Sequence, residues 1–266
     1  MDRQEIKNKI IEYFRKQIEL KNQRSDYKLS VQMSNVYELF RDSLKDIPMY
    51  QQNDFYSVVR EIIQELINAN FIYPGVPGDF NSGYPWLSIT EYGKKVFVSE
   101  NWLPYDPEGY LEALKQKVSE IDDVTFSYIG ESVSAFNRRH LLAATITLGV
   151  ASENLMLLLI EAYTKYLKNP RKDSFQKKVA DRWIFTQYKE FKQEFLLDVK
   201  TIPKELQGDW ETYLDGVFNF IRLNRNSAGH PTGKELSVKV IYANLQIFAE
   251  YACYVSNLMK FFNSNK

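Results

Sequence analysis

"LLAATITLGVASENLMLLLI", residues 141–160, is the most apolar stretch of the chain. It matches the length of a membrane span, about 20 residues. Thr145, Thr147, Ser152, Glu153 and Asn154 interrupt it, so it reads instead as the buried core helix of a bundle. No part of the chain is therefore expected to cross a membrane. The segments around it carry the same helical grammar. A first long helix is expected over 107–137 with a break near Gly130, and a second over 138–168, ending at "KNPRKD". A third and a shorter element fall within 173–200, a fourth helix over 204–226 and a fifth over 235–262. Asp106, Pro107 and Glu108 have the N-cap, first-turn-proline order of a helix start. Five such helices joined by short turns make an up-and-down bundle.

The residues before it are built from shorter pieces. "RQEIKNKIIEYFRKQIEL" (3–20), "VYELFRDSL" (36–44) and "NDFYSVVREIIQELINANF" (53–71) have helical spacing. "FIYPGVPGDFNSGYPWLSIT" (71–90), rich in Gly and Pro, reads as a hairpin, and "EYGKKVFVS" (91–99) closes the region. Pro104 and Pro107 mark a linker, which divides the chain into residues 1–103 and 104–266. The fold class is mainly α.

Length, 266 residues, suits one large domain or two modest ones. Basic and acidic residues balance at 34 each, so no overall field draws the chain to nucleic acid or membrane. The lone Cys253 excludes an internal disulfide framework and a cysteine-based zinc site, and is expected as a buried, inert thiol. The first residues lack a signal-peptide core, so a cytoplasmic protein is expected. GxxxxGK[ST], GxGxxG and HExxH are all absent. Nucleotide-hydrolase, dinucleotide and zinc-protease readings thus have nothing to rest on, and neither metal nor cofactor is expected.

Function speaks mainly through "RLNRNSAGHPTG", residues 222–233. The helix before it has a core stripe at Trp210, Tyr213 or Leu214, Val217, and Phe220 or Ile221. Arg222 and Arg225, three apart, share a face at its end. Ser227, Ala228 and Gly229 loosen the chain, and Pro231 pushes His230 out of helical geometry. A basic last turn also suits the helix dipole without any further role. Glu153 is the only formal charge between Leu141 and Ile160 and is expected to be substantially buried. It then needs a partner, either Arg225 or Arg222 at the site, or a tyrosine or lysine elsewhere. His140, beside Arg138 and Arg139, reads as a solvated helix start or as a contact to an RNA backbone. Arg171, Lys172, Lys177 and Lys178 form a basic turn of the same ambiguous kind.

"RNSAGHP" between the last two long helices of an all-helical bundle resembles the signature of the HEPN superfamily. That signature is an arginine, a polar follower and a histidine with four to six residues between. Here these are Arg225, Asn226 and His230, and the resemblance covers about residues 107–266. It implies metal-independent RNA cleavage in the cleft of a homodimer. An imidazole, with an ordinary pKa near 6.5, can take the 2′-hydroxyl proton at neutral pH. The 2′-oxygen then attacks phosphorus, giving a 2′,3′-cyclic phosphate and a free 5′-hydroxyl. A guanidinium binds the phosphate and offsets its developing charge. In this picture Arg225 and His230 are catalytic, Asn226 orients them or the RNA, and Glu153 and Arg222 support them. The resemblance also implies a toxin or anti-phage defence setting, with an antitoxin or defence-system partner protein.

The first hundred residues resemble a winged helix-turn-helix domain, with "ITEYGKK" opening the helix after the wing. Such domains usually read DNA, but residues 1–106 carry 13 basic against 15 acidic side chains. The basic residues of the first helix (Arg3, Lys7, Lys9, Arg15, Lys16, Lys21 and Arg24) read as a solvated face. A protein-contact or dimerisation module is therefore favoured over a DNA-binding one. The competing reading of the whole chain is a non-catalytic regulator or adaptor that uses this module for DNA or a partner protein.

Overall fold

Asp2 opens the first helix of the computed structural model, α1 (Arg3–Gln23), with a capping box: its carboxylate accepts from the Glu5 amide, and Glu5 accepts from the Asp2 amide. The structure describes residues 1–24, 29–77, 85–98, 103–118, 121–230 and 236–265. It is mainly helical, and its contacts form two compact units, Met1–Trp102 and Leu103–Lys266.

In the first unit, Ile6, Ile10, Phe14 and Ile18 bury one face of α1, as their spacing predicts. Among the basic residues expected on a solvated face, Lys9, Lys16 and Arg24 are exposed, but Arg3, Lys7 and Arg15 depart from it. Arg3 pairs with Glu61 and Glu65 of α4 (Met49–Asn68), the buried Lys7 reaches Glu65 at 3.3 Å, and Arg15 donates to the Phe97 carbonyl at 2.7 Å. "VYELFRDSL" is divided between α2 (Met33–Glu38) and α3 (Arg41–Leu44). Strands β1 (Ser30–Gln32), β2 (Ile72–Pro74) and β3 (Trp86–Ile89) form an antiparallel sheet in the order β1-β3-β2. The hairpin of β2 and β3 is the one expected. β1 was not expected, because three residues are too few to show an alternating pattern. Thr90 caps α5 (Glu91–Phe97) by accepting from the Gly93 amide at 2.8 Å. A Cβ at Gly93 would overlap the Phe71 carbonyl, so α5 packs there only because position 93 has no side chain.

The second unit runs α6 (Pro107–Lys117), α7 (Asp123–Asn137), α8 (Leu141–Tyr166), α9 (Arg171–Val179), α10 (Ile184–Phe195), α11 (Lys204–Gln207), α12 (Phe218–Gly229) and α13 (Val238–Ser264). The expected first long helix is divided before Gly130, not near it: α6 ends at Lys117 and α7 begins at Asp123. The cause is Asp122, whose carboxylate caps the next helix by accepting from the Thr125 amide. Gly130 sits inside α7. The expected fourth helix is also divided: a π-helical stretch, Glu211–Val217, leads into α12. That change of pitch alters the buried stripe to Trp210, Leu214, Phe218 and Ile221, and leaves Phe220 exposed.

α8 is long and apolar enough to cross a membrane by length and composition, yet it is the core helix of this unit, packed against α7, α12 and α13. Most of the polar side chains that interrupt its apolar run find a partner, the buried Ser152 hydroxyl being the exception. Asn154 donates to Asp122 Oδ1 at 2.8 Å and to Thr125 Oγ1 at 2.9 Å, fastening α8 to the start of α7. Thr145 and Thr147 donate to the Leu141 and Ala143 carbonyls one turn back. The Ser152 carbonyl accepts from Tyr251 of α13. Cys253, expected to be buried, is only half-buried.

Candidate functional site

α12 leans on α8 where Ile221 enters the core, and this leaves Arg222 and Arg225 on the flank that faces α8 and α10. The stem of Arg225 crosses α8 at Gly149. A Cβ at Gly149 would overlap the Cβ and Cγ of Arg225, so the arginine lies in a notch only glycine provides. A glycine inside a helix costs about 1 kcal/mol relative to alanine. Here that cost allows two helices and one long side chain to approach closely.

One turn further along α8, Glu153 Oε1 lies 3.8 Å from Arg225 Nε, and its side chain is only 16% exposed. Burial pushes the Glu153 carboxyl up from its ordinary value, while Arg225 and then Arg222 pull it back. The counter-charge to Glu153 is thus the arginine pair. The contact is long for an ion pair, and Arg225 Nε, like Arg222 Nε, is buried without a hydrogen-bond partner. Arg225 Nη1 donates to Asn226 Oδ1 at 3.2 Å. Arg222 places its guanidinium 4.0 Å from the ring centre of Phe185 on α10.

Arg225 thus spans one turn of α8, its stem at Gly149 and its Nε near Glu153. α12 ends at Gly229. His230 is the exposed C-cap residue there, with an extended backbone (φ −108°, ψ 140°). It stands five positions after Arg225, an axial rise of about 7.5 Å. The idea that Pro231 restrains His230 lies outside the described residues. His140 is exposed at the N-cap position of α8, beside exposed Arg138 and Arg139.

The structure thus brings Arg222, Arg225, Asn226 and Glu153 together and sets His230 in solvent at the end of the same helix. Arg171 is elsewhere and is not a solvated turn residue: it binds Asp198 and Glu194. Gly149 and Phe185 were missed by reading the sequence. Gly149 carried a signal, a glycine in the middle of an apolar helix, which often marks close backbone approach. Phe185 carried none. Among the described residues, no three His, Cys, Asp or Glu side chains converge on a point that would hold a metal ion. No protein-family model, curated protein or solved structure matches this chain.

Proposed function

We propose that this chain is a metal-independent endoribonuclease of the HEPN type, acting as a homodimer. The observation that carries this reading is the placement of Arg225: notched into α8 at Gly149, held near a buried carboxylate, and keeping Nε free of hydrogen bonds, on the helix that ends at exposed His230. A guanidinium held so loosely by its own protein has donors left for a phosphate. His230 removes the 2′-hydroxyl proton, and the 2′-oxygen bonds to phosphorus. The bond from phosphorus to the 5′-oxygen breaks, and that oxygen takes a proton from the imidazolium of the second copy. Arg225 offsets charge on the phosphoryl oxygens. Asn226 steadies the Arg225 fork, and Glu153 and Arg222 orient it. Exposed Phe220 and Leu223, on the same turns of α12, supply apolar surface for the second copy to cover.

The order of elements in the N-terminal unit, helices followed by a hairpin and a closing helix, supports a winged-helix-like module. Because Arg3 and Lys7 are engaged by carboxylates of α4, that module suits a protein partner better than duplex DNA. Met49 and Tyr50, exposed at the start of α4, favour the same view. The toxin or defence setting, with its antitoxin or partner protein, rests on the family resemblance.

The test is incubation of the purified protein with RNA, including tRNA, with and without EDTA. Cleavage that leaves 2′,3′-cyclic phosphate ends, survives EDTA and vanishes in His230→Ala is expected. No cleavage of any RNA, or full cleavage by His230→Ala, sinks the reading.

A further inference from the structure

The start of α10 carries the most exposed large apolar side chain among the described residues. Trp183, the residue before Ile184, is 88% exposed. Two positions on, the ring of Phe185 meets two cations, with Arg222 Cζ at 4.0 Å and Lys189 Nζ at 4.5 Å from its centre. Arg182 is exposed beside Trp183. Among the described residues, no carboxylate lies within ion-pair distance of Arg182, Lys189 or Arg222, whereas many cations have one: Arg3, Lys7, Lys16, Arg41, Lys94, Lys117, Lys165, Arg171 and Lys192. Arg222 also keeps a buried Nε without a hydrogen bond. Large exposed aromatics are uncommon on soluble proteins. One set among cations that form no salt bridge matches the two parts of a single-stranded nucleic acid, a base face to stack and phosphates to neutralise.

We infer that Trp183, with Phe185, Arg182, Lys189 and Arg222, forms a shelf that binds single-stranded RNA and leads it to the Arg225–His230 site. Trp183 stacks on an unpaired base, while the three cations contact the flanking phosphates. Phe185 steadies Arg222 and Lys189, each through a cation–π contact with its ring. The geometry connects the shelf to the site. Arg222 is one turn from Arg225, and eight residues, about 12 Å of helix, from His230. Bases stacked ~3.4 Å apart span that distance in three to four nucleotides. The substrate class is therefore RNA with an unpaired stretch, such as a loop, rather than a continuous duplex, whose bases cannot reach Trp183.

The inference rests on the ribonuclease reading of the site, and binding separates the two. Full-length His230→Ala protein is titrated against a fluorescein-labelled single-stranded oligoribonucleotide of about ten nucleotides, and anisotropy gives Kd. Adding Trp183→Ala is expected to weaken binding roughly 5- to 100-fold, the range for loss of one stacked base. Trp183→Phe recovers most of the loss. Arg222→Ala weakens binding and lowers the slope of log Kd against log salt by about one. Unchanged affinity in Trp183→Ala overturns the shelf. So does a loss of affinity that sedimentation traces to dissociated dimers, which would make Trp183 a contact between copies. Tight Trp183-dependent binding without cleavage by the unmutated protein keeps the shelf and removes the nuclease. Cleavage indifferent to Trp183 does the reverse.

Discussion

Two arginines of the bundle meet carboxylates in opposite ways. Arg171 is saturated: Nε donates to Glu194 at 2.8 Å, and Nη1 and Nη2 donate to Asp198 at 3.1 and 2.9 Å. Tyr163 completes the set by donating to Asp198 Oδ2 at 2.7 Å, inside a cluster that includes Phe175, Phe191, Phe195 and Phe262. Arg225 is not saturated. It lies 3.8 Å from its carboxylate, donates to its own neighbour Asn226, and leaves a buried Nε unmet. The first arrangement fastens α8, α9 and α10 together. The second holds a cation in place with a single hydrogen bond, which leaves donors for a ligand. Incomplete satisfaction, more than the presence of charge, distinguishes the two ends of this bundle.

That contrast can be broken experimentally, and the largest effect belongs to Arg225. Arg225→Lys keeps the charge but not the planar fork, so RNA cleavage is expected to fall at least ~100-fold while the circular dichroism spectrum and melting temperature hold. Equal cleavage would show that the fork is idle. Next comes Asp198→Ala, which leaves Arg171 and the Tyr163 hydroxyl without their partner. Chemical denaturation should show a loss of about 2–3 kcal/mol, with cleavage by the folded fraction unchanged. A cleavage defect larger than the folding defect would contradict the separation of the two ends.

Gly149→Ala tests the notch. Its new methyl overlaps the Arg225 stem, so about 1–3 kcal/mol of stability is lost, or α12 shifts and cleavage falls with it. A variant as stable and active as the original would dismiss the close approach. The smallest effect concerns pH. Burial raises the Glu153 carboxyl, so the folded chain holds that proton more tightly than the unfolded one. This contribution to stability is full below the ordinary carboxyl range and is lost as pH rises through the raised value. Asp215 behaves in the opposite sense. Lys192, Tyr188 and Asn219 donate to it and hold its carboxyl below the usual range, so its contribution is present above that range and is lost on acidification. Denaturation from about pH 2 to 7 should show Glu153→Gln removing a slope of one sign above the ordinary carboxyl range and Asp215→Asn a slope of the other sign below it, each within about 1 kcal/mol. Slopes of the same sign would refute the assignment.

Much of this was legible in the chain. The run at 141–160 reads as a core helix because the residues that interrupt it are small or carry few polar atoms, which neighbouring helices can satisfy. Helical spacing predicts α1, α4 and α13, and Asp106-Pro107 predicts the start of α6, since caps and periodicity are local properties. The burial of Glu153 was legible too, from its apolar neighbours one turn away. The break before α7 was not, although Asp122 and Thr125 could have marked it as a capping pair. β1 left no trace, because a three-residue strand exists only through its pairing with β3.

The sequence alone determined the helices, the apolar helix at the centre of the bundle, and the spacing of Arg225, Asn226 and His230. Only the tertiary structure decided that Arg225 lies in the Gly149 notch, that the arginines are the counter-charge to Glu153, and that Arg222 stands over Phe185 beside Trp183. The physical reason is range. Periodicity and caps act over one or two turns, whereas these contacts join residues some forty to eighty positions apart. Their geometry follows from how α8, α10 and α12 pack, and no local pattern encodes it.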